Sequence, residues 1–271
     1  MENKVKTVYY CFPEGKHKAL TMSYDDGCSE DRRLVEIFNK NGIKGTFNLN
    51  AGLQDYPERP RIRFSEMKEL YKGHEIASHT LTHPTIERCN LASVAQQVLL
   101  DREMLEKVVG YPVRGMAYPN GSYTDEIKRL LGDLGIRYSR VVGSSDNFAL
   151  PRDLYEWKAT CHHNHNLAEL GEQFLDLHKK QYLYLMYVWG HSFEFTTKDN
   201  WNVIENFCAK MGGKDDIWYC TNIEYVDWQD TMKRLCFASD SSFVYNPSAQ
   251  AAWLSVDGEI RKVNGGETVW L

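Results

Sequence analysis

His79 and His83 stand four residues apart at the end of a short apolar run, in His79-Thr80-Leu81-Thr82-His83, and two imidazoles at that spacing can share one metal ion. On a helix, positions i and i+4 lie on one face. Two β-branched threonines and Pro84 instead predict a tight turn at a strand end, and either backbone brings both rings to one point. Nine histidines in 271 residues produce such pairs by chance, so the pair needs a third ligand. Asp25-Asp26-Gly27 offers one. Adjacent side chains on an extended strand point opposite ways, so one carboxylate can ligate while the other is free for acid-base work. One carboxylate and two neutral imidazoles form a three-ligand set of the catalytic kind, with positions open for water and a substrate oxygen. Zinc is the ion it suits first. Cys161-His162-His163-Asn164-His165 is a rival zinc cluster of lower rank, and Cys28 has no evident role beyond structure.

The elements that must position these groups follow from periodicity. Apolar runs of strand length at 19–24, 45–49, 75–78, 114–118, 138–142, 156–160, 183–188 and 217–220 alternate with segments of helical period. Ser29 is placed to cap a helix carrying Leu34, Ile37 and Phe38, with Gly42 as its stop. Thr124 does the same for Ile127, Leu130, Leu131 and Leu134, and Leu91, Val94, Val98, Leu105 and Val108 mark a longer helix. This rhythm predicts an α/β fold, an irregular (β/α) barrel of about seven or eight strands, in which chemistry gathers where strands end. Asp25-Asp26, His79 to His83, Pro119-Asn120-Gly121 and His191 each follow a strand and so converge on one rim. Past residue 236 the rhythm changes to short runs at 243–245, 251–256, 260–263 and 268–271. Asn246-Pro247, Asp257-Gly258 and Gly265-Gly266 punctuate them as hairpin turns do. The expected organisation is a barrel over 1–236 and a β-hairpin appendage over 237–271 that packs on it, beside an early strand at 6–12.

Composition bounds the partners. With 42% hydrophobic and 25% charged residues the chain can bury a full core. A net charge of −5 and a pI near 6.0, with no basic block, argue against nucleic acid. The stretch after Met1-Glu2-Asn3-Lys4 has no apolar segment, and no eighteen apolar residues run together. The expectation is therefore no export signal, no membrane span and a cytoplasmic protein. Seven dispersed cysteines without Cys-x-x-Cys suit reduced thiols.

In this order, across roughly residues 19–225, the motifs resemble the signatures of the polysaccharide deacetylase family, carbohydrate esterase family four, which includes chitin and peptidoglycan deacetylases. Ser23-Tyr24-Asp25-Asp26-Gly27 is similar to the family's first motif, which implies that Asp25 is the base and Asp26 a metal ligand. The His79 to His83 stretch is similar to the second and implies that both histidines ligate. Residues 114–123 resemble the third, a groove wall; the resemblance implies that Arg114 tethers the base and that a backbone N–H near Asn120 aids the oxyanion. Trp189-Gly190-His191 stands where the family keeps its acid histidine. Arg114 lies further from Pro119 than is usual, which leaves Arg140 as an alternative tether, and the acid-rich fourth motif is not recognisable, with Asp146 or Trp157 as replacements.

The implied activity is metal-dependent removal of acetyl from an N-acetylated sugar or oligosaccharide, with one divalent ion, zinc by preference, at Asp26, His79 and His83. Asp25 and His191 act as base and acid. Arg114, Tyr118, Asn120, Trp157 and Trp189 form the substrate or oxyanion wall. A non-catalytic carbohydrate-binding protein on the same barrel, or a hydrolase of a non-sugar amide, are the alternatives.

Overall fold

The computed structural model describes residues 5–271; residues 1–4, on which the expectation about an export signal partly rests, lie outside the described residues. In chain order the elements are β1 (Val8–Cys11), β2 (Lys18–Asp25), α1 (Asp31–Lys40), β3 (Gly45–Leu49), α2 (Phe64–Leu70), β4 (Glu75–Ser78), α3 (Leu91–Val109), β5 (Gly115–Ala117) and α4 (Asp125–Asp133). There follow β6 (Tyr138–Ser144), β7 (Trp157–Ala159), β8 (Cys161–His162), α5 (Leu167–Leu175), β9 (Tyr184–His191), α6 (Phe193–Thr197), α7 (Trp201–Met211), β10 (Ile217–Tyr219) and α8 (Asn222–Arg234). The chain closes with β11 (Cys236–Phe237), β12 (Phe243–Tyr245), β13 (Ala252–Val256), β14 (Glu259–Val263) and β15 (Thr268–Trp270).

Strands β6, β5, β4, β3, β2 and β9 lie side by side, all parallel, and helices cover them, as a (β/α) barrel requires. The two ends of this sheet are joined by one stretch of chain. β7 pairs with β6, the Thr160 N–H then donates to the Tyr187 carbonyl at 2.8 Å, and β8 pairs with β9. A strand that changes partner at Thr160 therefore links the edges that an open sheet would leave unpaired. β2 is central: Met22 to Asp25 pair with β3, Lys18 to Leu20 with β10, and its other side with β9 throughout. All eight of its residues are buried.

Local signals explain the helices. Thr124 caps α4 by accepting from the Ile127 N–H at 3.2 Å, and Asn90 caps α3 through Ser93 at 2.9 Å. Ser29 does not cap α1, contrary to expectation: the helix opens at Asp31 after Glu30, and the Ser29 hydroxyl turns to Glu30.

The terminal strands differ from a simple run of hairpins. Asp257 and Gly258 both take positive φ, 49° and 92°, and join β13 to β14 as a two-residue turn, the conformation that suits the strand twist. β13 pairs on its other side with β1, whereas β12 pairs with β11 and β15, so two three-stranded sheets form. Val244, Ala252, Leu254 and Val263 share one apolar cluster with Ala19, Tyr138, Trp157 and Leu185 from the first residues of barrel strands. These sheets thus floor the barrel at the end opposite the strand C-termini. Among the described residues no helix is long and apolar enough to cross a membrane, and all seven cysteines are free.

Candidate active site and metal centre

Parallel register sets Asp25, the last residue of β2, level with Asn48 on β3 and His191 on β9. Asn48 donates from Nδ2 to Asp25 Oδ1 at 2.8 Å, and Arg140 reaches over from β6 to donate from Nη2 to Oδ2. The Arg140 guanidinium lies 4.1 Å from the centre of the Trp189 ring, and both partners of the ion pair are almost fully buried. Burial by itself would push the Asp25 carboxyl up. Arg140, with His79, His191 and Asn48, outweighs it and holds the carboxyl below its usual range. Asp25 is therefore held as a fixed carboxylate, with His79 Nε2 at 3.9 Å and His191 Nε2 at 4.0 Å from Oδ2.

Asp26, His79 and His83 each bring one ligand atom to within 4.8 Å of the others. His79 Nδ1 lies 2.8 Å from the Ala117 carbonyl, which can only accept, so Nδ1 carries the proton and Nε2 keeps a free lone pair. Burial lowers its pKa to about 4, against the pull of Asp25 and Asp26, so the ring is neutral as a ligand must be. That donor set, with one lone pair already directed at the carboxylates, fits a divalent ion of the zinc type.

The backbone here is strained. Asp26, Thr80, His83 and Asn120 all have left-handed φ, of 81°, 64°, 58° and 56°, and for β-branched Thr80 such an angle costs about 1–3 kcal/mol. The surroundings hold it in place. Asn50 Nδ2 donates to the carbonyls of His79 and Thr80 at 2.6 and 2.8 Å, and Arg61 Nη1 donates to the Asp26 carbonyl at 2.7 Å. Asp101 accepts from the Ser78 hydroxyl at 2.5 Å and the Ala51 N–H at 2.6 Å, fixing the strand end before His79. Strain concentrated at the groups that converge is what a preorganised site shows.

On the other side of Asp25, His191 Nδ1 lies 2.8 Å from Glu194 Oε1. Burial would lower the pKa of this imidazole, but the hydrogen bond to Glu194, with Asp25 and Asp26, raises it above the ordinary histidine value. Burial would push the Glu194 carboxyl up, but the imidazoles of His162, His163 and His191 gathered around it outweigh that and hold it well below its usual range. A ring that holds its proton more firmly than an ordinary histidine, facing Asp25, has the character of an acid.

Several expected site residues lie elsewhere. Arg114 makes a two-pronged ion pair with Asp227 of α8, at 2.7 and 2.8 Å, because it precedes β5 and so sits at the wrong end of the strand; Arg140 is the residue that pairs with Asp25. Trp157 is 1% exposed and packs on Tyr138, Tyr187 and Tyr225, since it starts β7 and points to the barrel floor. Tyr118 is also buried, its hydroxyl donating to the Tyr155 carbonyl at 2.9 Å, with Tyr123 stacked on it. Trp189 is buried beneath Arg140 and His162 and does not offer its face to a sugar. Asn120 is exposed at the rim, with its side chain on Thr85 Oγ1 at 3.1 Å. The 161–165 cluster disperses: Cys161 faces the core and His165 bonds Asp146, while His162 and His163 turn to Glu194. Asp146 thus takes no place beside His191. Asn48, Asn50, Arg61, Asp101 and Glu194 were not anticipated, though Asn48 follows from aligning β3 with β2.

Residues 6–139 match the profile of a family described as polysaccharide deacetylase. A chitin deacetylase from Arthroderma benhamiae is 29% identical over 122 residues, 42% of this chain and 31% of that protein. A candidate polysaccharide deacetylase from Mycobacterium smegmatis superposes with TM-score 0.60 at 16% identity, over 82% of this chain and 93% of that one. A CE4 family pseudoenzyme from Bacillus anthracis gives 0.53 at 17% identity, over 80% and 68%. Likeness at such identities establishes the fold. The chain spans 23% to 54% of the length of the curated relatives it matches.

Proposed function

The chain belongs, over residues 6–139, to the polysaccharide deacetylase family, and from that premise we propose that it is a metal-dependent hydrolase that removes acetyl from an N-acetylated sugar or oligosaccharide. The observation that carries the reading is the convergence of Asp26, His79 and His83 beside a buried, arginine-held Asp25 and a His191 braced by Glu194. A divalent ion at the first three residues, zinc by preference, would lower the pKa of a bound water to about 7 and polarise the acetyl carbonyl. Asp25 takes the proton from the attacking water, and Arg140 and Asn48 keep its carboxylate ionised and aimed. A backbone N–H of the 119–121 turn supports the oxyanion. His191, oriented by Glu194 at Nδ1, gives a proton from Nε2 to the departing amine, which is otherwise a very poor leaving group. Hydrolysis of a non-sugar amide by the same residues is a second reading, favoured by the burial of Tyr118, Trp157 and Trp189, which leaves none of these rings to stack on a sugar. Acetate release from a panel of N-acetylated mono- and oligosaccharides and simple amides, with and without added zinc, tests both. Zinc-dependent release from the sugars supports the first reading, release from the amides alone the second, and none from any substrate rejects the activity.

A further inference from the structure

A second set of metal-ligating side chains lies on the far side of Asp25. His162 ends β8, His191 ends β9, and these strands pair in parallel, so the two imidazoles rise from neighbouring strand ends. α6 begins two residues after His191 and brings Glu194 back over both. His162 Nε2 is 3.5 Å and His191 Nδ1 2.8 Å from Glu194 Oε1, and one ligand atom from each of the three lies within 4.8 Å of the others. All three side chains are about one-fifth exposed, so an ion can enter. Beside them His163 is 1% exposed and neither ring nitrogen has a hydrogen-bond partner, although Nε2 stands 3.3 Å from Glu194 Oε2. Its position depends on Gly190, where a Cβ would come within 2.0 Å of His163 Nδ1. Glu194 Oε2 is further fixed by Asn164 Nδ2 at 2.6 Å.

We propose that His162, His191 and Glu194 form a second, regulatory site for a divalent cation of the zinc type, and that its occupation switches off proton delivery by His191. Two imidazoles and a carboxylate are a zinc donor set, and ligation through His162 Nε2 moves that ring's proton to Nδ1, which gives up the hydrogen bond it accepts from the Asn164 N–H at 3.1 Å; the buried His163 packs beside the carboxylate. The ion takes the place of the proton between His191 Nδ1 and Glu194 Oε1. A ring bound through Nδ1 can release its Nε2 proton only by becoming an imidazolate, so it holds that proton far more firmly than a doubly protonated ring does. The site itself does not depend on the deacetylase reading; its effect on turnover does.

Equilibrium dialysis against zinc alone, with elemental analysis, tests the site in the full chain, folding being checked by circular dichroism. Wild type should bind two equivalents, and His162→Gln and Glu194→Gln one each. Cobalt in place of zinc should show a second set of visible bands that both variants lack. Filling the second site should lower amide hydrolysis on the order of 10²-fold, the usual worth of a general acid, and lower hydrolysis of an activated acetyl ester much less. That ratio should flatten in His162→Gln. A single equivalent in wild type that both variants retain, a second equivalent that persists in both variants, or a second equivalent without effect on amide turnover would each overturn the proposal. One equivalent in His79→Gln together with none in His162→Gln would keep this site and reject the metal centre proposed above.

Discussion

Arg140→Met leaves the Asp25 carboxylate in place, still buried and still bonded to Asn48, but without its cation. Breaking a buried ion pair by removing one partner costs about 3–5 kcal/mol, because the remaining charge is neither solvated nor compensated. The cost should depend on pH, with a sign that can be worked out. In the wild type the carboxyl lies below its ordinary value of 3.8, so it adds stability above that pH and loses it as pH falls through the folded value. Without Arg140 the burial dominates and the carboxyl moves up, so the variant loses stability as pH rises from about 4 towards neutrality. Urea unfolding at about pH 5 and about pH 8 should therefore show a larger deficit at the higher pH. In activity, the acid limb of kcat/KM should shift to higher pH. Adding Asp25→Asn should recover part of the lost stability, since contacting residues couple by about 0.5–3 kcal/mol. Arg114→Met is the control: its pair with Asp227 is 36% and 24% exposed, so its loss should cost about 0–1 kcal/mol and leave the limb unmoved. If Arg114→Met moved the acid limb and Arg140→Met did not, the assignment of the tether would be wrong.

Four further outcomes are expected. His79→Ala should lose the first equivalent of metal by elemental analysis while His163→Ala keeps it, the reverse pattern assigning the ion to the 161–165 cluster. Asp25→Asn should keep metal and fold yet lose about 10²–10⁴ in kcat on amide and activated ester alike, because water must be deprotonated in either case. His191→Ala should be crippled on the amide but much less on the activated ester; equal losses would make it an orienting residue. Trp157→Ala should cost about 3–5 kcal/mol in chemical unfolding with KM unchanged at a temperature where the variant is folded, a changed KM returning the ring to the substrate wall.

The groups that meet at the rim were legible because they belong to short contiguous motifs at strand ends: Asp25-Asp26, His79 to His83, and His191. What was not legible needed the register between strands. Arg140 and Asn48 reach Asp25 from β6 and β3, and which arginine does so depends on whether it precedes a strand, as Arg114 does, or lies within one. Aromatic residues misled for the same reason, since Trp157 opens its strand and so points to the floor. Glu194 escaped notice because α6 is a single turn, too short to give a periodic pattern. At the C-terminus the Asp257-Gly258 turn is a local signal and was readable, whereas the pairing of β12 with β15 is set by distant packing.

The central place of β2 has a consequence for synthesis. It emerges early, yet beside β3 its partners are β9, paired Lys18 with Tyr184, and β10, paired Lys18 with Ile217. Until those segments leave the ribosome, a strand whose eight residues all end up buried has one long side without a neighbour. Contacts this distant in sequence slow folding, because loop closure must precede any gain from pairing. A nascent chain that stops at residue 139, where the family match ends, already holds Asp26, His79 and His83 but neither Arg140 nor His191. The three proposed metal ligands are thus synthesised before the arginine that pairs with Asp25 and before the proposed acid, and a half-barrel with an open β2 edge is the species that a chaperone would have to shield.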